Sequence, residues 1–205
     1  KYEIIPIGIT KNGIWTLAED NAAKWALKKG DLAFVEDNGQ HLHFGSNQEL
    51  FLGEESLGKV DVVFPVLHGP YGEDGQVQRE LEAVGVPYVG NGVLASAAGM
   101  DKESTKALFE ATKIPVTPHV VIRAKNWAND PESALEAVKS LGGLPVFVKP
   151  ARAGSSVGVS KVKDLAEFAD AVTLAFEHDN KLVVERGLIG REVECAALSS
   201  RSHGV

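Results

Sequence analysis

Apolar positions along the chain recur in two rhythms, and the rhythm changes near Met100. Before it, Ile4-Ile5-Pro6-Ile7-Gly8-Ile9 reads as a strand. Asp61-Val62-Val63-Phe64-Pro65-Val66-Leu67 is a continuous apolar run, as expected for a parallel strand buried on both faces. It enters the turn-rich stretch His68-Gly69-Pro70-Tyr71-Gly72-Glu73-Asp74-Gly75, after which Val77, Leu81 and Val84 stand at helical spacing. A short strand, Val86-Pro87-Tyr88-Val89, follows and ends at Gly90-Asn91-Gly92. Strand, helix, strand in this order predicts a right-handed crossover and an open parallel sheet. Between residues 11 and 59 the aromatic residues Trp15, Trp25, Phe34 and Phe44 mark packed segments whose order the pattern does not fix.

Beyond Met100 the pattern predicts an α+β arrangement. Asp101 is placed to cap a helix carrying Lys102, Lys106, Leu108 and Phe109. Asp130-Pro131-Glu132 opens another helix, with a capping side chain and proline at the first helical position, and Gly142-Gly143 stops it. Strands are predicted at Val146-Phe147-Val148, Val157-Gly158-Val159 and Leu182-Val183-Val184, and Asp164 caps a helix through Phe168, Val172 and Phe176. The links are short enough for antiparallel pairing.

Composition narrows the function classes. With 205 residues, 44% hydrophobic and 24% charged, the chain has ordinary globular make-up and room for one large or two small domains. A formal charge of −7 argues against general affinity for nucleic acid or an anionic membrane. Cys195 is the single cysteine, which excludes an internal disulfide and fits a cytoplasmic, reducing setting. No apolar run approaches the roughly 20 residues of a membrane span. The chain opens at Lys1 directly on a strand-like run, and Ser199 to Val205 trail off another, Glu192 to Leu198, so a fragment is expected.

Three places carry candidate chemistry. In Pro145-Val146-Phe147-Val148-Lys149-Pro150-Ala151-Arg152-Ala153-Gly154-Ser155-Ser156-Val157-Gly158-Val159, a strand delivers Lys149, and a loop of small residues follows. Such a loop offers free N–H groups to phosphates, with the lysine as cation. The same residues could form a solvated hairpin with a surface lysine. In Leu182-Val183-Val184-Glu185-Arg186-Gly187-Leu188-Ile189-Gly190-Arg191-Glu192, a strand delivers Glu185, and a short link brings Glu192 within reach of the same cleft. Carboxylates so placed can accept hydrogen bonds from an adenine amino group or ribose hydroxyls, or can simply border Arg186 and Arg191 on the surface. His68 stands past the carboxyl end of an apolar strand, where open α/β sheets place ligands, although a structural histidine fits there too. Gly90-Asn91-Gly92-Val93-Leu94-Ala95 matches a dinucleotide fingerprint, but that motif wants an acid about 20 positions on. Ile114-Pro115-Val116-Thr117-Pro118 stands there instead, and the fingerprint fails.

Taken in order, these stretches resemble the D-alanine–D-alanine ligase family of the ATP-grasp superfamily. The resemblance is carried by His68 to Gly75, Val86 to Gly90, and Gly99-Met100-Asp101-Lys102-Glu103-Ser104-Thr105-Lys106. It continues through Leu144 to Pro150, Gly154 to Ser160 and Val184 to Glu192, nearly without a break from Val60 to Leu198. It implies an open α/β domain over residues 1–100, a central ATP-grasp domain over 101–190, and the start of a C-terminal domain over 191–205. It also implies an ADP-forming ligase in which one D-alanine is activated as an acyl phosphate and the amine of a second displaces phosphate. The product is the dipeptide used in peptidoglycan. ATP, magnesium and D-alanine are the implied cofactors and substrates, and a homodimer the implied assembly. A D-alanine–D-lactate or D-alanine–D-serine ligase, another ATP-grasp carboxylate–amine ligase, and a non-catalytic nucleotide-binding fragment stay open.

Residue by residue, the resemblance makes Lys102 and Lys149 the phosphate lysines. Ser155 and Ser156 become the phosphate-covering loop, with Ser155 also orienting a catalytic tyrosine. Glu185 becomes the adenine amino contact, Arg186 to Leu188 the hinge along the base, Glu192 the ribose contact, and His68 the neighbour of the first D-alanine. The remaining machinery, including the magnesium carboxylates and an oxyanion-stabilising arginine, is expected before Lys1 or after Val205. The chain alone is therefore expected not to turn over.

Overall fold

The computed structural model describes residues 2–21 and 34–198, so Trp25 and the segment after Leu198 lie outside the described residues. The chain divides into two compact units, Lys1–Thr105 and Lys106–Val205.

The first unit begins with a hairpin, β1 (Ile7–Ile9) antiparallel to β2 (Trp15–Leu17). A meander of β3 (Leu42–Phe44), β4 (Glu49–Leu52) and β5 (Glu55–Lys59) follows, again antiparallel. Helix α1 (Gln76–Val84) turns Val77 and Leu81 into a small core with Val86, on which Ile9, Trp15, Phe44, Val63 and Tyr88 pack. The indole of Trp15 meets Phe44 edge-on at 6.0 Å and donates its N–H to the Tyr71 hydroxyl at 2.9 Å, so its polar atom is satisfied within the packed layer. Phe34, by contrast, is exposed. Helix α2 (Val93–Met100) leads into α3 (Lys102–Ala111), whose residues from Lys106 onward belong to the second unit, and Asp101 accepts the backbone N–H groups of Glu103 and Ser104 at 3.0 and 3.2 Å, as its capping position predicts.

The apolar run at residues 61–67 behaves differently from expectation. Its parallel pairing is confined to one bridge, Val63 to Tyr88, framed by hydrogen bonds from Val63 N–H to the Pro87 carbonyl and from Val89 N–H to the Val63 carbonyl. Phe64 and Val66 are 70% and 83% exposed, so this run is not buried on both faces among the described residues. An apolar run records suitability for burial; the flanking strands that would cover it are a separate matter.

The second unit is a four-stranded antiparallel sheet with helices on it. In chain order it comprises β6 (His119–Arg123), α4 (Ala124–Asn129), α5 (Pro131–Lys139), β7 (Val146–Pro150), β8 (Ser160–Val162), α6 (Phe168–Phe176) and β9 (Lys181–Arg186). The strand order is β6-β9-β7-β8. Asp130 caps α5 by accepting the Ser133 N–H at 2.9 Å, with Pro131 at the first helical position. Asp164 accepts the Ala166 N–H at 3.0 Å and starts a short 3₁₀ turn that runs into α6. Between sheet and helices lie Ile122, Val138, Val146, Val148, Val162, Phe168, Val172, Leu182 and Val184, all essentially buried. Each such side chain contributes about 1.5–3 kcal/mol. The strand expected at Val157–Val159 starts instead at Ser160, because Ser155, Ser156 and Gly158 adopt positive φ and prolong the turn. No helix among the described residues is long and apolar enough to cross a membrane.

Candidate functional site

Alternation along β7 decides which side chains are free for chemistry. Val146, Val148 and Pro150 are buried, so Phe147 and Lys149 take the opposite face. Directly paired residues share a face, and Phe147 is paired with Glu185 on β9 and with Lys161 on β8, while Glu185 is paired with His119 on β6. The sheet therefore carries a row of His119, Glu185, Phe147 and Lys161 away from its core, with Lys149 two residues along and diagonal to Glu185.

The centre of this face is a carboxylate held by two lysines. The Lys149 ammonium donates to Oε2 of Glu185 at 2.5 Å, and Lys106 of α3 lies 2.9 Å from Oε1. Burial pushes the Glu185 carboxyl up, but the hydrogen bonds and charges of Lys149 and Lys106 more than reverse this and hold it below the usual carboxylate range. Phe147 offers an aromatic face nearby, with the ammonium groups of Lys149 and Lys161 at 5.7 and 5.5 Å from its ring centre. Two or three cations around one carboxylate leave a net positive face suited to an anionic ligand.

The glycine-rich turn begins where β7 ends at Pro150, one residue past Lys149, and one buried acid anchors it. Asp179 accepts the Arg152 backbone N–H at 2.8 Å, the Arg152 guanidinium through Nε and Nη2, and the Lys181 N–H at 3.2 Å. Burial raises this carboxyl, and the Arg152 bonds more than offset the effect, so Asp179 also sits below its ordinary value. Farther round the turn, Ser155 and Ser156 adopt φ of 48° and 59° with exposed side chains. Gly158 has φ +67°, and a Cβ there would stand 2.5 Å from His178 Cδ2 and 2.8 Å from Pro150 Cγ. Gly158→Ala is therefore expected to destabilise the protein by about 1–3 kcal/mol through strain and overlap together. Gly190→Ala, at a position with nothing within 4 Å of a new Cβ, is expected to be nearly neutral. Urea midpoints of the two variants check this: equal midpoints would show that the turn can relax around a methyl group.

The other expected residues are distributed unevenly. Arg186 ends β9 and donates its N–H to the Pro118 carbonyl at 3.0 Å, and Gly187 donates to the Pro145 carbonyl at 2.7 Å, so the segment after Glu185 is pinned by its backbone. Leu188 is 60% exposed, and Glu192 is exposed in an extended segment outside any strand. Glu192 is not among the groups tied to Glu185. His68, in the first unit, is exposed, with Nδ1 3.4 Å from Oε2 of Glu73. Lys102 opens α3, and it is Lys106, one turn later in that helix, whose ammonium meets Glu185. The structure thus joins Lys149 to Glu185 and adds Lys106, Phe147, Lys161 and His119, which the sequence did not single out for this face. Among the described residues no group of three or more His, Cys, Asp or Glu side chains could hold a metal ion.

The chain is similar to known proteins along both of its halves. Family models described as the D-ala D-ala ligase N-terminus and C-terminus match residues 1–91 and 108–205. A D-alanine–D-alanine ligase of Mycolicibacterium smegmatis is 51% identical over 207 residues, covering 97% of this chain and 54% of that protein. One of Paenarthrobacter aurescens is 47% identical over 209 residues, covering 98% of this chain and 55% of that protein. Among solved structures, the VanG D-Ala:D-Ser ligase of Enterococcus faecalis aligns with a TM-score of 0.74 at 35% identity, over 92% of this chain and 54% of that one. The D-alanine–D-alanine ligase of Helicobacter pylori aligns with 0.73 at 28% identity, over 90% of this chain and 54% of that one. The chain thus spans about half the length of the curated relatives it matches. With both halves of one family's pattern matched in order, the chain belongs to the D-alanine–D-alanine ligase family.

Proposed function

We propose that this chain carries the nucleotide-binding part of an ADP-forming ligase that joins two D-alanine molecules. The observation that carries the reading is the Lys106–Glu185–Lys149 cluster at the mouth of the glycine-rich turn, in a chain of this family. ATP lies with its adenine against the Phe147 face, its amino group donating to Glu185 and its base edge along the pinned backbone from Arg186 to Leu188. Its phosphates lie under the turn, where Lys149 and the N–H groups around Ser155 and Ser156 neutralise and orient them. Glu192 takes the ribose hydroxyls. Lys102, as the second phosphate lysine, and His68, beside the first D-alanine, are assigned on the family resemblance alone, as is the part of Ser155 in orienting a tyrosine.

In the reaction, the carboxylate of one D-alanine attacks the γ-phosphorus and ADP leaves. The amine of the second D-alanine then attacks the acyl carbon, loses a proton, and expels phosphate. This chain's residues bind and screen charge, which is where most phosphoryl-transfer catalysis lies. Magnesium is implied by the family, but no ligand group among the described residues fits it.

One similar structure is a D-Ala:D-Ser ligase, which favours D-serine as an alternative second substrate to D-alanine. Phosphate release by the complete protein decides between them. With ATP and D-alanine alone, D-alanine-dependent release is expected. Release that needs D-serine or D-lactate as second substrate would move the assignment to the related ligase, and no release with any of them would overturn the ligase reading.

A further inference from the structure

One carboxylate needs one cation, and Glu185 has two. Lys149 holds Oε2 and Lys106 holds Oε1, with the Lys106 side chain 12% exposed and that of Lys149 26%. Ordering and desolvating a second lysine is costly, so its presence calls for a reason within the site. The two lysines differ in what they can do next. Lys149 is the more exposed and leads directly into the turn at Ala151–Gly158, so its ammonium can swing to phosphates. Lys106, within helix α3, is the deeper of the two. Were Lys149 the only partner, its departure would leave a largely buried carboxylate uncompensated, and burial would drive Glu185 to take up a proton or turn away.

We propose that Lys106 is a positioning residue for adenine recognition. It keeps Glu185 ionised and oriented through Oε1 while Lys149 moves from Oε2 to the nucleotide phosphates, and Oε2 is thereby freed to accept the adenine amino N–H. This rests on the reading of Glu185 as the adenine contact. The arrangement couples the two ends of the ligand: phosphates draw Lys149 away, and its leaving opens the acceptor that reads the base. A nucleotide whose base lacks the amino donor gains nothing from that acceptor.

The test compares ATP with inosine triphosphate, in which a carbonyl oxygen replaces the amino group, by calorimetry on the complete protein. The unsubstituted protein is expected to prefer ATP by at least roughly tenfold, as a hydrogen bond to a charged group implies. Lys106→Met is expected to lose most of that preference, and the ratio of ATP to adenosine affinity is expected to fall with it, because Lys149 then leaves Glu185 only by stranding a buried charge. Lys106→Arg is expected to retain the preference. A lysine that only supports the fold would move neither ratio, so an unchanged ATP preference in a folded Lys106→Met protein, alongside its loss in Glu185→Gln, overturns the proposal alone. An unchanged preference in Glu185→Gln overturns the adenine reading and the proposal with it. If Lys106→Met does not fold, Lys106→Gln, which can still donate to Oε1 without a charge, takes its place. A partial loss is then expected, and a ratio equal to that of the unsubstituted protein overturns the proposal.

Discussion

Truncating Phe168 to alanine is expected to cost about 3–5 kcal/mol of stability, enough to threaten folding of the second unit. Phe168 opens helix α6 at 2% exposure and meets Trp127 edge-on, with ring centres 5.8 Å apart and planes at 76°. Around it lie Val138, Val162 and Val172, themselves almost fully buried. Removing the ring deletes the transfer free energy of six aromatic carbons and leaves a cavity in a core rich in valines, which are stiff at χ1 and relax little to fill it. Helix propensity pulls the other way, since alanine is the better helix former, so any loss must come from packing. Leu174, on the same helix but 43% exposed, supplies the control: Leu174→Ala is expected to cost below about 1 kcal/mol. Urea unfolding followed by circular dichroism measures both. A Phe168→Ala midpoint within error of that of Leu174→Ala would mean that the sheet–helix interface is not packed around this ring.

The elements marked by local chemistry were legible in the sequence, and those that depend on distant partners were not. Asp101, Asp130 and Asp164 announce helix starts because a capping carboxylate acts within three residues. Strands β7 and β9 show in their valines. Helix α2, built from Val93-Leu94-Ala95-Ser96-Ala97-Ala98-Gly99-Met100, has too few large apolar positions to display a face, and β6 is masked by the prolines at 115 and 118 that precede it. The site was half legible. Lys149 and Glu185 could be read because each ends an apolar run before a turn, but their contact depends on register. A slip of one residue between β7 and β9 would send Glu185 to the core face. Lys106 was legible as a helix residue and not as a partner, since nothing local links α3 to β9. The row through His119, Phe147 and Lys161 needs three strand pairings at once, which no single segment encodes.

Replacing Lys149 with methionine is expected to lower the affinity of the complete protein for ATP by roughly ten- to a hundredfold, the worth of hydrogen bonds to a charged group. Methionine keeps the length and apolar stem of lysine, so packing over Val183, its partner across β9, is preserved. What goes is the ammonium. The informative comparison is adenosine, which has the base and ribose but no phosphates. In the unsubstituted protein Lys149 occupies Oε2 of Glu185 until phosphates draw it off. With methionine in place that oxygen is open from the start, while Lys106 still holds Oε1. Adenosine is therefore expected to bind the variant as well as before or somewhat better, as ATP binding falls. The two ligands separate the possible roles of this lysine. A solvated surface lysine would leave both affinities unchanged. A lysine that served the base alone would lower both together. Only a lysine shared between Glu185 and the phosphates gives opposite responses. Equal ATP affinity in a variant whose circular dichroism matches the unsubstituted protein would remove Lys149 from the phosphate site, and with it the reason for placing the nucleotide under the glycine-rich turn.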